Sequence, residues 1–282
     1  MIVDIAVNIP ILKTFHYLVP KELEQEIEIG KRAKVPFGRR SLNGFIVAIL
    51  DKSSFPDLKE IKEVIDSEPV ITKNILELTK WISEYYICSR GEALSAAFPS
   101  QLKIPKKKLC MDVIYYVPTK TFNPPSYELT PEQKNAIDLI LASKNNFKPF
   151  LLHGITGSGK TEVYMNVIES MIKEDKGVIL LVPEIALTPQ LYYVLNERFG
   201  KNISLLHSKM TAKERSEEWY KLKTGKSQIV IGPRTAIFAP IKNLGLIVVD
   251  EEHESTYKQD DTPRYNARDV AVMRANMEKC VI

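Results

Sequence analysis

The eight residues Gly154-Ile155-Thr156-Gly157-Ser158-Gly159-Lys160-Thr161 constrain this chain more than any others. They fit the P-loop pattern GxxxxGK[ST] in full. An apolar run, Leu151-Leu152-His153, precedes them, and residues 162–172 follow with Val163, Tyr164, Val167, Ile168 and Met171 on one helical side. A strand, a glycine turn and a helix in that order belong to a parallel sheet with crossover helices. The residue types suit phosphate. Gly154, Gly157 and Gly159, with Thr156 and Ser158 between them, let backbone N–H groups turn inward around phosphate oxygens. The helix that starts near Gly159 offers its free N–H groups and positive dipole end to the same anion. Lys160 is expected to reach the β- and γ-phosphates of a nucleotide, and the Thr161 hydroxyl to bind Mg²⁺.

Short apolar runs at 178–182, 204–206, 229–231 and 246–249 read as further strands buried on both faces. Thr130-Pro131-Glu132 opens a helix, with a cap residue and a proline at the first helical position. The run Leu246-Ile247-Val248-Val249 ends in Asp250-Glu251-Glu252-His253. An acid at a strand end is weak evidence alone and strong evidence downstream of a P-loop. Asp250 is expected to hold Mg²⁺ and Glu251 to polarise the attacking water. His253 has two readings, a member of this motif or a plain surface or core histidine.

The first part of the chain has a different texture. Val3, Ile5 and Val7 alternate, and 34–38 and 44–50 flank the basic polar turn Arg39-Arg40-Ser41-Leu42-Asn43, which predicts a hairpin. Pro36 in the first of these runs suggests an edge or irregular strand. Over 73–87 the period changes to a helical one, through Ile75, Leu78, Ile82 and Tyr85. Between 99 and 128 stand five prolines and Lys106-Lys107-Lys108, with 113–117 as one possible strand. A proline-rich stretch favours an extended linker. The expected division is therefore a β-rich domain over 1–104, a linker over 105–128 and an α/β lobe over 129–282.

Composition narrows the class. With 44% hydrophobic and 26% charged residues among 282, the chain is neither disordered nor fibrous. No apolar run reaches the ~18 residues of a membrane span, and no membrane partner is expected. An acid at Asp4 argues against a signal peptide. Cys88, Cys110 and Cys280 are odd in number and far apart, which argues against a disulfide framework and for a cytoplasmic setting. The net charge of +4 is shared evenly along the chain, so charge alone proposes no nucleic-acid partner. Phosphate contacts need only local positive charge.

At this point the residues carry a resemblance. Asp250-Glu251-Glu252-His253 resembles motif II of superfamily 2 helicases. Gly154 to Tyr164 resembles motif I of the PriA family of replication-restart helicases, the primosomal N′ proteins. So do Val182-Pro183-Glu184-Ile185-Ala186-Leu187-Thr188-Pro189-Gln190, His207-Ser208-Lys209 and Ile231-Gly232-Pro233-Arg234-Thr235-Ala236-Ile237-Phe238. Tyr257-Lys258-Gln259 and Arg264-Tyr265-Asn266-Ala267-Arg268-Asp269 resemble that family's loop after motif II. In the first part, Thr14-Phe15-His16-Tyr17, Val35-Pro36-Phe37-Gly38 and Glu60-Ile61-Lys62-Glu63-Val64 are similar to its domain for DNA 3′ ends.

The resemblance implies an incomplete RecA-like parallel-sheet lobe preceded by a small β-rich DNA-binding domain. It implies that Phe15, His16, Tyr17, Gly38 and Lys62 line a pocket for a terminal nucleotide, with His16 where the family often has Asp. Without the resemblance, Phe15 and Tyr17 read as core aromatics of a strand. It implies that Gln133 contacts adenine, and that Arg234, Thr235, Lys258, Arg264 and Tyr265 meet a DNA strand. Arg234 and Thr235 also read as an ion-paired arginine and a helix cap.

Two departures from the family stand out. The 105–128 stretch is too short for the winged-helix domain that the family carries there, so Lys106-Lys107-Lys108 reads either as a substitute duplex contact or as a solvated linker. The sequence stops at Cys280-Val281-Ile282, near the strand leading to motif III. The second motor lobe, its arginine fingers and the family's zinc region are expected outside this chain.

The implied function is the N-terminal part of an ATP-dependent 3′→5′ DNA helicase that binds stalled forks and initiates primosome assembly. ATP and Mg²⁺ are its implied cofactors. Its implied partners are forked DNA, 3′ ends and single strands, other primosome proteins, the replicative helicase and single-stranded DNA-binding protein. It is expected to be a monomer that binds DNA and ATP without unwinding. The alternative is a DNA-structure-binding scaffold with a non-functional motor. A GTPase would need an NKxD guanine motif, which the sequence lacks.

Overall fold

The computed structural model describes residues 1–53, 55–98, 128–155, 157–184 and 189–282. Thr156, the Ile185-Ala186-Leu187-Thr188 part of its motif, Lys106-Lys107-Lys108, Cys110 and the 113–117 run lie outside them, as does nearly all of the expected linker. Two compact units divide the chain, Met1–Lys108 with Gln259–Tyr265, and Leu109–Lys258 with Asn266–Ile282. The sequence reading had kept Gln259–Tyr265 with the rest of 129–282. Among the described residues no helix is long and apolar enough to cross a membrane.

In the first unit β1 (Ile2–Val7), β2 (Phe15–Leu18), β3 (Arg32–Phe37), β4 (Arg40–Leu50) and β5 (Glu63–Val64) form an antiparallel sheet. Its order is β2-β1-β4-β3-β5. The sheet closes on itself. Leu18 N donates to Lys59 O at 2.9 Å and Ile61 N to Leu18 O at 3.0 Å, while Lys62 N donates to Lys34 O at 2.8 Å. One segment thus joins the β2 edge to the β3 edge and makes a barrel. Val3, Ile5, Tyr17, Ala33, Val35 and Ile46 fill it.

The expected hairpin is present with a tighter turn. Phe37 pairs with Arg40, so Gly38 and Arg39 alone make the connection and β4 starts inside the expected loop. Gly38, at φ +57°, supplies the positive φ such a turn needs. Pro36 sits past the reach of β5, which pairs only with Ala33 and Lys34, so its missing N–H leaves no ladder bond unmade on that edge. Outside the barrel pack α1 (Lys73–Tyr85) and α2 (Arg90–Ala97).

In the second unit β6 (Gly177–Leu181), β7 (Ile203–Leu205), β8 (Ile229–Gly232) and β9 (Leu244–Val249) pair in parallel, in the order β7-β8-β6-β9. Helices α3 (Pro131–Ala142), α4 (Lys160–Lys173), α5 (Pro189–Phe199), α6 (Ala212–Thr224) and α7 (Ala267–Glu278) surround them. Val178, Leu180 and Val182 face α4, and α7 packs on β9 from the other side. Burial on both faces explains the continuous apolar runs. The expected strand at 151–153 does not form: Leu151 is 78% exposed and unladdered.

Candidate phosphate site and candidate nucleic-acid faces

The P-loop lies where its pattern predicts, at the start of α4. Gly159 is the cap residue of this helix, at φ +81°, and Gly157 has the same φ. Both are left-handed turns that favour glycine. They leave the first N–H groups of α4 without helical acceptors, facing the loop's concave side. Lys160 Nζ folds onto the loop, donating to Gly154 O at 2.7 Å and Ile155 O at 3.1 Å. The predicted helix start at Thr130 is a full capping box. Gln133 N donates to the Thr130 hydroxyl at 3.3 Å, and Thr130 N to Gln133 Oε1 at 2.9 Å. The same Gln133 donates from Nε2 to Ser158 O at 3.1 Å, which ties α3 to the P-loop.

Asp250 and Glu251 follow β9 directly. Asp250 N donates to Leu181 O at 2.9 Å, an extension of the β6–β9 ladder. Its carboxylate accepts from Glu251 N at 3.1 Å and, more weakly, from the Tyr164 hydroxyl at 3.4 Å. The Tyr257 hydroxyl donates to Asp250 O at 2.6 Å. Burial, then the charge of Glu251, raises the Asp250 pKa above the ordinary carboxylate range. Burial and the Asp250 charge push the Tyr164 hydroxyl well above the usual phenol value. A desolvated carboxylate at the end of a strand, beside a helix N-terminus, is chemistry suited to a divalent cation held between carboxylate and phosphate. Thr161 is exposed at the same helix start. Glu251 is exposed, held at φ +47°. Lys160, Asp250, Glu251 and His253 all line one cavity of about 610 Å³.

Sequence reasoning missed Tyr164 and Tyr257 as partners of Asp250. Tyr164 had a signal, since its place four residues after Lys160 puts it on the same helical face. Tyr257 had none.

The residues expected for a DNA 3′ end divide between two sides of the barrel wall. Phe15 pairs with Ile5 and Tyr17 with Val3, whereas His16 pairs with Asp4. Successive side chains of a strand alternate, so His16 cannot share a face with its two neighbours. Tyr17 is buried and its hydroxyl donates to Pro36 O at 3.2 Å, the core role. Phe15 is half-buried and meets Phe37 edge to face at 5.2 Å. Lys62 Nζ donates to the Ser41 hydroxyl at 2.7 Å, beside the turn at Gly38, whose Cα faces open space. Phe37 and Ser41 belong to this cluster and were not singled out from sequence. On the other face His16 Nδ1 lies 3.0 Å from the Ser53 hydroxyl, and its ring is 5.0 Å from that of exposed Phe55.

In the second unit Arg234 Nη1 donates to Thr256 O at 3.4 Å and Lys258 O at 3.2 Å. Arg234 thus braces the segment after Asp250, a third role beside the two expected. Thr235 is half-buried and Lys258 is exposed. Arg264 and Tyr265 belong to the first unit, Arg264 exposed and Tyr265 buried.

Known proteins agree with both halves of this description. The 3′ DNA-binding domain family matches residues 4–99. The DEAD/DEAH box helicase family matches residues 130–279. The replication restart protein PriA of Treponema pallidum (strain Nichols) is 38% identical over 98% of this chain and 42% of its own length. That of Rickettsia conorii is 35% identical over 97% of this chain and 41% of its own length. That of Bacillus subtilis (strain 168) is 28% identical over the whole chain and 52% of its own length. The chain thus spans about half, or less, of the relatives it matches. With the helicase family matching more than half of its residues, behind a 3′ DNA-binding domain and in the company of PriA relatives along its length, the chain belongs to the DEAD/DEAH box helicases.

Proposed function

We propose that this chain is the part of a replication-restart DNA helicase that takes hold of a DNA 3′ end with its first unit and binds ATP with its second. One observation carries the reading. Gly154 and Lys160 of the P-loop line one cavity with Asp250 and Glu251, in a chain whose residues 4–99 match a 3′ DNA-binding domain.

Bound ATP with a divalent cation, Mg²⁺ on this reading, supplies the phosphoanhydride bond and the charge that spreads as it breaks. The chain's own residues do the holding. The N–H groups at Gly157, Gly159 and the start of α4 receive phosphate oxygens. Lys160 exchanges its two carbonyl acceptors, Gly154 and Ile155, for β- and γ-phosphate oxygens, a charge-assisted and therefore stronger pairing. Thr161 and Asp250 would hold the cation, and Glu251 would orient the attacking water. Gln133 contacts the adenine edge from its fixed place against Ser158 O.

In the first unit Phe15 and Phe37 give a terminal base an aromatic face, and Lys62 sits beside it as a cation. Gly38 lets a sugar or phosphate come close to the backbone. His16 reads the 3′ end only from the opposite face, so the hydroxyl contact falls to the Phe15 side. Lys258 and Arg264 meet the strand's phosphates. Unwinding, primosome partners, single-stranded DNA-binding protein and zinc are proposed for the whole protein. This chain is proposed to be a cytoplasmic monomer that binds without unwinding.

Fluorescence anisotropy with forked DNA tests the reading. The fork's leading strand ends in a 3′ hydroxyl or a 3′ phosphate, at matched salt because affinity is salt-dependent. The expected result is tighter binding to the hydroxyl, together with Mg²⁺-dependent binding of a fluorescent ATP analogue. Equal binding of the two forks overturns the 3′-end role. Nucleotide binding unchanged in Lys160→Ala overturns the P-loop role.

A further inference from the structure

Two tyrosines meet Asp250, and they hold different parts of it. The Tyr257 hydroxyl donates to its backbone oxygen at 2.6 Å. The Tyr164 hydroxyl reaches the side chain, at Oδ2, 3.4 Å away. Glu251 N donates to the other carboxylate oxygen, Oδ1, at 3.1 Å. Each carboxylate oxygen thus has one donor, which fixes the rotation of the group and leaves lone pairs on both oxygens. The Tyr164 ring belongs to the apolar core of this unit and is 7% exposed. Its hydroxyl is therefore delivered from a fixed base.

The other neighbour of that hydroxyl is Thr161. The two residues stand three apart on α4, so their side chains share one helical face. Their hydroxyls hydrogen-bond. Thr161 and Asp250 are the two residues proposed above to hold the cation. Tyr164 thus touches both, one on its own helix and one at the end of β9.

The count of hydrogens sets the direction of this chain of bonds. An ionised carboxylate only accepts, so the Tyr164 hydroxyl donates to Asp250. That uses its single hydrogen, and toward Thr161 it accepts. The Thr161 hydrogen then points at Tyr164, and a lone pair of the Thr161 oxygen is left to face elsewhere. A hydroxyl that binds a cation must turn its hydrogen away from it, and Tyr164 is the acceptor that takes this hydrogen.

We propose that Tyr164 is a positioning residue of the cation site, whose hydroxyl orients Thr161 and Asp250 together so that each turns a lone pair to a divalent cation. This role rests on the nucleotide site proposed above and deepens it. Tyr164 itself touches neither cation nor nucleotide in it.

The test measures affinity for a fluorescent ATP analogue in Mg²⁺ and in a chelator, and takes the ratio as the contribution of the cation. Tyr164→Phe keeps the ring and removes the hydroxyl. The expected result is a ratio lower by about fivefold or more, as for the loss of a hydrogen bond, with affinity in the chelator unchanged. Asp250→Asn, measured beside it, is expected to lower the ratio further. An unchanged ratio in Tyr164→Phe beside a lowered one in Asp250→Asn overturns the positioning role and leaves the cation site standing. An unchanged ratio in Asp250→Asn overturns the cation site, and the positioning role with it. Affinity that falls equally in Mg²⁺ and in the chelator shows a structural role alone, and overturns the proposal too. Thr161→Ser keeps Tyr164 and does not depend on how the phenylalanine variant folds. Without the branching methyl, the hydroxyl at 161 relies on Tyr164 for its orientation. Its ratio is expected to stay within about twofold of the parent, and a fall of about fivefold overturns the proposal.

Discussion

Asp250 is the residue at which chemistry and stability pull in opposite directions. Burial and the neighbouring Glu251 raise its pKa, although Glu251 N, Tyr164 and Lys160 partly oppose them. The folded chain then binds that proton more tightly than the unfolded chain does. Stability from this group is greatest below the ordinary carboxylate pKa of about 4, falls as pH climbs to the raised value, and is level above it. Asp250→Asn removes the charge and keeps the shape. Melted in a chelator, it is expected to have a higher midpoint than the parent at pH 7, with the difference closing below about pH 4. A variant that melts lower at pH 7 would show that the carboxylate stabilises the fold. Arg32 and Asp66 show the opposite balance. They are nearly buried, at 3% and 6% side-chain exposure, and joined at 2.7 and 2.9 Å, with Arg32 N a further donor. Asp66→Ala removes that carboxylate from the nearly buried guanidinium and from Arg32 N, and chemical denaturation should register a loss of about 3–5 kcal/mol. Sequence reading found Asp250 because a P-loop demands an acid. It did not find Asp66, because a buried ion pair leaves no periodic trace.

Among the elements, strands and helices were legible where one period ran unbroken. The apolar runs of β6, β8 and β9 are of this kind, and the start of α3 was legible from its Thr130 cap and Pro131. The strand expected at 151–153 failed for a reason outside its own residues. A strand exists only if a neighbour takes its hydrogen bonds, and among the described residues the ladder with Ile282 reaches Lys148 and Phe150 only. The hairpin turn was misjudged because Arg40-Ser41-Leu42-Asn43 looks like a loop, yet register with β3 makes it strand. Closure of the barrel through Leu18 and Lys59 was invisible, since such pairing is long-range. Gly91 is a further feature that only the fold explains. A Cβ there would come within 1.9 Å of Val7 O, so α2 lies against the end of β1 because residue 91 has no side chain. Gly91→Ala gains helix propensity of about 1 kcal/mol at most. It must also push backbone from backbone, at a cost toward the upper end of about 1–3 kcal/mol. Net destabilisation of the first unit is the expected outcome in denaturant melts. A stabilised variant would mean that α2 can shift without loss.

For the whole molecule, the sequence already separated two textures, an alternating β-rich part and a βα-alternating part, and among the described residues an apolar cluster corresponds to each. What it could not show is which residues of a motif share a face. Thr14-Phe15-His16-Tyr17 reads as one block, but a strand deals its members to opposite sides. Because among the described residues these two clusters share no member, nucleotide binding and 3′-end binding should respond to substitution independently, as non-contacting sites do. Phe15→Ala removes one stacking face, about 1–3 kcal/mol, or roughly a 5- to 150-fold loss of affinity for the 3′-hydroxyl fork. The same variant should bind a fluorescent ATP analogue unchanged. Lys160→Ala removes charge-assisted hydrogen bonds of about 1.5–3 kcal/mol in all, so nucleotide affinity should fall by at least about tenfold while fork affinity holds. The two anisotropy titrations on the two variants form a closed comparison. If Lys160→Ala weakens fork binding as much as Phe15→Ala does, the two sites share free energy, and a description of them as separately folded, separately acting units is wrong.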